Sequence, residues 1–329
     1  MRTLKFGVLV MLLAIAYLAW SALGSVPLAS PTVEFSIQRG SSLRAATRQM
    51  VDTGIALSSW QFNLLARLSG MDTNIKAGSY AVSQGITPWQ ILRKLTQGDF
   101  TQVEVVFIEG WTVRQLRAAL DAHPSVRHDT RGMSDPEIME KLGASDRAAE
   151  GWFFPNTYLF GKGESDLAIL ARAHRAMQKQ LESVWMQRAA DSPLQSPYEA
   201  LILASIVEKE TGRGEDRGQI AGVFTNRLRI GMRLQTDPTV IYGLGSKFDG
   251  NLRKRDLVTD TPHNTYTRDG LPPSPIAIPG LASLRAAVKP DKTDALFFVA
   301  RGDGSSEFSR SLDQHNRAVA RYQRAGAKP

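Results

Sequence analysis

Residues 204–212 read "ASIVEKETG", an apolar run that ends in Glu208 and Glu210 on either side of Lys209, followed by Gly212. A carboxyl kept protonated near neutral pH can act as a general acid, and once ionised the same group can act as a base. Ser196-Pro197-Tyr198-Glu199 has the spacing of a capping box with proline at the first helical position, so a helix starts there. Leu201 to Val207 is apolar apart from Ser205, which predicts protein on both sides of that helix. Gly212 is the expected stop. Both acids then fall in the last turn, where the negative end of the helix dipole disfavours ionisation and burial adds to the effect. Positions two apart are separated by ~200° around the axis. Glu208 and Glu210 therefore face opposite sides and cannot flank one bond as a pair. Glu210 shares its stripe with Leu203 and Ile206, and Glu208 with Leu201, Ala204 and Ser205. Periodicity does not choose between them, and either could instead be neutralised by Lys209, Arg213 or Arg217.

The stretches that follow would position these acids. "EDRGQIAGVFTNRLRIG" predicts a helix with Ile220, Val223, Phe224 and Leu228 inward and Gly231 as its stop. "MRLQTDPTVIYGLG" and "NTYTRDGLPPSPIAIPG" read as loops rich in groups that hydrogen-bond hydroxyls and stiffened by proline, which suits a preorganised site. Gln235, Asn264 and Tyr266 are candidate substrate contacts, with the bracing of the loops themselves as the alternative role. Asp237 is the nearby carboxyl, placed either at the substrate or as a brace of its own turn. "ALFFVARGDGSSEFSRSLDQHNRAV" predicts a hairpin around Gly302-Asp303-Gly304 and then a helix.

Upstream, strand "VEFSIQ" leads to a helix capped by Ser42, with Leu43, Ala46 and Met50 inward and Gly54 as its stop. A second helix, "SSWQFNLLARLSG", a strand, "IKAGSYAVS", and a helix capped at Thr87-Pro88 follow. This strand–helix–helix–strand order over 33–99 resembles a LysM-like module, with a plain structural subdomain as the alternative. "VEVVFIEGWT" opens the larger part with a strand and the Thr112 cap of a helix that runs toward His123-Pro124. Residues 125–148 are polar and give no clear element. Five aromatic residues between Gly151 and Phe160 predict core, or in part a platform for sugar faces. Asp166 to Gln187 predicts a long amphipathic helix with Leu167, Leu170, Ala171, His174 and Met177 on one side.

The chain has 329 residues, no cysteine and a net charge of +8. Absence of cysteine excludes disulfides, thiolate metal sites and thiol nucleophiles, and the charge favours anionic surroundings. Arg2 and Lys5 precede an uncharged apolar stretch, Phe6–Val26, whose length at ~1.5 Å per residue matches a hydrocarbon core of ~30 Å. Tyr17 and Trp20 suit an interface, and the basic residues hold the short 1–5 tail in the cytoplasm. A retained anchor over 6–26 is expected in preference to a signal peptide cleaved near "SALGS". Export of the remainder argues against nucleic acid as a partner. The five histidines show no H-E-x-x-H spacing, and G-x-S-x-G, S-x-x-K, P-loop and G-x-G-x-x-G motifs are absent.

Taken in order, "EGWFFPNTY", "ASIVEKETG", "GVFTNRLRIGMRLQTDPTVIYGLG", "NTYTRDGLPPSPIAIPG" and "LFFVARGDG…EFSRSLDQHN" closely resemble the endolytic murein transglycosylase family, the YceG-like proteins. The resemblance covers nearly the whole chain except 113–149. It implies an α+β protein with a single N-terminal transmembrane helix, a small LysM-like subdomain and a larger mixed helix and hairpin catalytic domain over 101–329. It also implies residence in the bacterial inner membrane with the catalytic domain in the periplasm, peptidoglycan glycan strands as substrate, cell-wall synthases as companions and no cofactor or metal. By resemblance Glu210 is the catalytic acid and Glu208 supports it from behind. The implied reaction cuts the bond between N-acetylmuramic acid and N-acetylglucosamine and closes a 1,6-anhydro ring. Two rivals stand beside it: a water-using muramidase with Asp237 as the partner of Glu210, and a non-catalytic wall-binding scaffold.

Overall fold

Apolar residues at period 2 and period 3.6 divide the chain into short strands and amphipathic helices, and the computed structural model describes residues 16, 17, 20–38 and 40–324. The chain forms two units, 1–104 with 159–164, and 105–158 with 165–329. The architecture is mixed α+β, and among the described residues every sheet has two strands.

The smaller unit begins with β1 (Thr32–Ile37), α1 (Leu43–Asp52), α2 (Ser59–Leu68), β2 (Gly78–Ser83) and α3 (Pro88–Gln97). β1 alternates exposed and buried residues, so Val33, Phe35 and Ile37 face inward. It runs antiparallel to β2 with Phe35 opposite Tyr80 and Val33 opposite Val82. The Phe35 and Tyr80 rings stack at 5.5 Å. Ser42 caps α1 by accepting from the Ala45 N–H, and Thr87 with Gln90 forms a reciprocal capping box on α3. Ile91, Leu92 and Leu95 of α3 are fully buried in this core.

The chain continues through β3 (Gln102–Val106), α4 (Val113–Ala122), β4 (Val126–Arg127), α5 (Asp135–Lys141), β5 (Thr157–Gly161), β6 (Glu164–Ser165) and α6 (Asp166–Trp185), with 102–104 and 159–164 counted in the smaller unit and the rest in the larger. Then come α7 (Pro197–Glu210), α8 (Gly214–Arg229), α9 (Asp237–Leu244), α10 (Lys254–Val258), α11 (Leu281–Val288), β7 (Phe297–Ala300), β8 (Ser306–Ser309) and α12 (Leu312–Val319). α7 is the centre of the larger unit. All residues from Ala200 to Val207 are buried, under α6, α8, α9 and α11. Ser205, the polar exception, donates to the Ile202 carbonyl at 2.7 Å and accepts from the Ile276 N–H at 3.0 Å. That hydroxyl fastens the proline-rich 271–280 segment to the helix.

Several expectations change in detail. The polar 125–148 stretch contains α5, started by a Ser134–Glu137 capping box that was legible as S-D-P-E. Trp152, Phe153, Tyr158 and Phe160 are buried, so the aromatic run is mainly core. On α6 the inward stripe centres on Ile169, Leu170, Ala173, His174 and Met177, with Leu167 and Ala171 at its margin. Asp166 is fully buried because its carboxylate accepts from the Asp129 and Thr130 N–H groups and the Thr130 hydroxyl. The Ser196 cap holds α7 through the Glu199 N–H, but Glu199 reaches the Gln195 N–H instead of closing the box on Ser196. Gly212 is not the stop: α7 ends because Thr211 turns extended, at φ −145° and ψ 133°. Most of the apolar stretch 6–26 lies outside the described residues, and no described helix is long and apolar enough to cross a membrane.

Candidate active site

Glu210 is the last residue of α7, and its partly exposed side chain meets the start of α9. The Thr236 hydroxyl donates to its Oε1. Thr236 is itself locked in place: its N–H donates to the Thr265 hydroxyl at 3.1 Å, and its carbonyl accepts from Thr239 Oγ1 at 2.7 Å. The Thr239 and Thr265 hydroxyls lie 2.8 Å apart, and all three threonines are buried. Three short side chains thus set the position of one carboxyl oxygen. The segment entering this turn holds Gln235 at φ 46°, the single non-glycine residue with positive φ among the described residues. Such a conformation is disfavoured and concentrates at functional sites. The Gln235 N–H donates to the Thr265 carbonyl at 3.1 Å, and its side chain is exposed.

Burial of the Glu210 carboxyl among protein atoms raises its pKa from 4.5 to about 7. Asp237 pushes in the same direction through like charge, whereas the Thr236 hydroxyl and the Arg227 guanidinium oppose it. Arg227 is not a locked ion-pair partner. Its Nε donates to the Leu296 carbonyl and its Nη1 to the Leu234 carbonyl, both at 2.7 Å, so the buried cation braces the strand and loop behind the site. Near pH 7 both protonation states of Glu210 are populated, which a group acting first as acid and then as base requires.

The other predicted residues separate clearly. Asp237, exposed at the first turn of α9, accepts from the Tyr266 hydroxyl at 2.6 Å. Burial and the Asp237 carboxylate push the Tyr266 pKa upward, so the phenol stays neutral. Asn264 is fully buried, with its amide nitrogen on the Leu257 and Thr259 carbonyls and its oxygen accepting the Tyr266 N–H at 2.8 Å. It holds the loop that carries Tyr266. Glu208 points away from Glu210 and accepts from the Gly280 N–H, the cap of α11, at 2.9 Å. A Cβ at Gly280 would stand 1.9 Å from the carboxylate of exposed Glu109, which would have to swing aside. Lys209 is spent on the Gly110 carbonyl and Arg213 on Glu215.

Sequence reading passed over Thr236 and Arg227. Arg227 had a signal: it follows Ile220, Val223 and Phe224 at the i+7, i+4 and i+3 positions of the apolar stripe, where a cation must be buried. Leu228, expected inward, is only partly buried. Part of "QTDPTVIYGLG", read as loop, is α9, with Pro238 in its first turn. A second carboxyl with raised proton affinity, buried Glu150, accepts from the Val113 N–H at 3.0 Å and the Tyr242 hydroxyl at 3.2 Å, and burial raises its pKa to about 7.

The model of the YceG-like family matches residues 35–321. The chain is 31% identical over 308 residues to the endolytic murein transglycosylase of Bacillus subtilis strain 168, covering 88% of this chain and 85% of that one. It is 26% identical to the endolytic murein transglycosylase of Streptococcus pneumoniae D39, of which the match spans 58%. A crystal structure of a YceG-like protein from Listeria monocytogenes superposes with a TM-score of 0.57 at 30% identity, over 87% of this chain and 98% of that one. On the order of its motifs, its fold and these matches, the chain belongs to the YceG-like family.

Proposed function

We propose that this protein is an endolytic lytic transglycosylase acting on peptidoglycan glycan strands, with Glu210 as its single acid–base group. The observation that carries this reading is the Glu210 carboxyl itself: partly exposed, oriented by Thr236, and poised at a pKa of about 7. The neutral carboxyl protonates the glycosidic oxygen between N-acetylmuramic acid and N-acetylglucosamine as that bond breaks. The resulting carboxylate takes the proton from the muramoyl C6 hydroxyl, whose oxygen closes the 1,6-anhydro ring and restores the acid. The nucleophile belongs to the substrate, so no second carboxylate is needed. A water-using muramidase would need one at ~5 Å or ~6.5–9.5 Å. Glu208 faces away, and Asp237 is engaged with Tyr266, which supports the one-carboxyl route.

In this reading exposed Gln235, Asp237 and the Tyr266 hydroxyl meet the sugar, and Asn264 and Glu208 hold the frame. The small unit's β1–α1–α2–β2 order supports a LysM-like module that follows glycan. Residues 6–26 anchor the protein in the inner membrane, with both units in the periplasm near the synthases that supply new strands. Incubation of the protein with purified sacculi and mass analysis of the products tests the chemistry. Anhydromuramoyl ends are expected. Reducing ends would establish the hydrolase, and intact strands the scaffold. Full anhydro-product formation by Glu210→Gln would remove Glu210 from its role.

A further inference from the structure

The small unit carries a surface pattern that glycan cleavage does not use. On α1, Arg44, Arg48 and Val51 stand at i, i+4 and i+7; on α2, Trp60, Asn63, Leu64 and Arg67 stand at i, i+3, i+4 and i+7. The two stripes line one groove of about 530 Å³. Arg44, Arg48 and Arg67 are exposed, and none has an ion-pair partner among the described residues. Trp60 is 61% exposed, an unusual place for an indole. Between residues 41 and 70 the three arginines face one acid, Asp52.

The same helix is tied to the incoming chain. Gln61 Nε2, beside Trp60, donates to the Tyr17 hydroxyl at 3.1 Å, and Tyr17 belongs to the apolar stretch 6–26. Trp20 and Leu23, which follow it, are 73% and 67% exposed. The helix that forms one wall of the basic groove is therefore the helix that holds the apolar segment. An indole prefers the headgroup level of a bilayer, and guanidinium groups match phosphate bidentately.

We propose that the α1–α2 face docks on the anionic phospholipid headgroups of the membrane that holds the N-terminal segment. Arg44, Arg48 and Arg67 bind phosphates, and Trp60 seats in the interfacial layer. This inference rests on the anchoring proposed above, and it adds a second contact that fixes how the small unit stands on the bilayer.

The chain lacks cysteine, so Ser59→Cys accepts one environment-sensitive fluorophore at the groove. The labelled full chain is placed in nanodiscs of phosphatidylcholine alone or with phosphatidylglycerol, each with or without a doxyl-labelled lipid as quencher. The label should shift to the blue and be quenched in the anionic discs only, and high salt should reverse the change. Neutralising Arg44, Arg48 and Arg67 to Gln together should weaken docking about a hundredfold, since each charge near an anionic surface counts for roughly fivefold. A label at Gln97→Cys on α3 should stay unquenched. Identical signals in neutral and anionic discs overturn the docking while leaving the anchor intact; this comparison needs no arginine variant. A response of the detergent-solubilised chain to soluble peptidoglycan fragments, without a lipid response, assigns the groove to glycan and also overturns it. A chain that fails to enter nanodiscs overturns anchor and docking together.

Discussion

Glu210→Gln should make the protein more stable than its parent in alkaline solution while abolishing turnover. The folded state raises the Glu210 pKa from 4.5 to about 7, so it binds this proton more tightly than the unfolded chain does. Stability contributed by that proton is complete below pH 4.5 and is lost as pH rises through 7. Each pKa unit corresponds to about 1.4 kcal/mol, and the partial exposure of the side chain tempers the total, leaving about 2–3 kcal/mol at pH 8. Glutamine cannot ionise and still accepts from the Thr236 hydroxyl, so it avoids the penalty. Guanidinium titrations of the detergent-solubilised chain, followed by tryptophan fluorescence from pH 5 to pH 8, measure the difference. The gap between the two proteins should be small at pH 5, open chiefly between pH 5 and pH 7, and level off above pH 7. A difference that does not vary with pH, or a variant less stable at pH 8, would refute the claim that the fold holds this carboxyl neutral.

Thr236→Val removes the hydrogen bond that favours the carboxylate, worth about 1.5–3 kcal/mol, and should move the alkaline limb of the activity profile up by about 1–2 pH units. Asp237→Asn removes the like charge and should move that limb down, with activity retained; complete loss would favour the muramidase. Ser205→Ala leaves the Ile276 N–H buried without a partner and should cost about 1–3 kcal/mol in the same denaturation assay. Glu150→Gln keeps an acceptor for Val113 and should gain stability above pH 7, by the same sign argument as Glu210, while leaving turnover near the parental level. Turnover lost in that variant would place Glu150 in the chemistry.

Much of the fold was legible because its signals are local. The caps at Ser42, Thr87, Thr112 and Ser196 depend on residues three apart, and the hairpin around Gly302–Gly304 on a turn between alternating strands. The opposed directions of Glu208 and Glu210 followed from helix geometry alone, and so did the central place of an apolar helix such as α7. Errors fell where local and long-range preferences compete. Gly212 has the composition of a helix stop, yet Thr211 ends α7 in an extended conformation, so no left-handed glycine is needed. Polar spacing in "QTDPTVIYGLG" suggested loop, while packing against α7 makes part of it helix.

The sequence alone determined that a buried helix ends in two acids facing apart and that the Arg227 position lies on an apolar stripe. Which groups meet Glu210 was decided only in three dimensions. Thr236 is 26 residues away in the chain, and Thr265 a further 29, and no periodic pattern relates positions so far apart. The proton affinity of Glu210 is likewise tertiary. It is the balance of lost water, the Asp237 charge, the Thr236 hydroxyl and the Arg227 cation, each of which acts only at short range once the chain has folded.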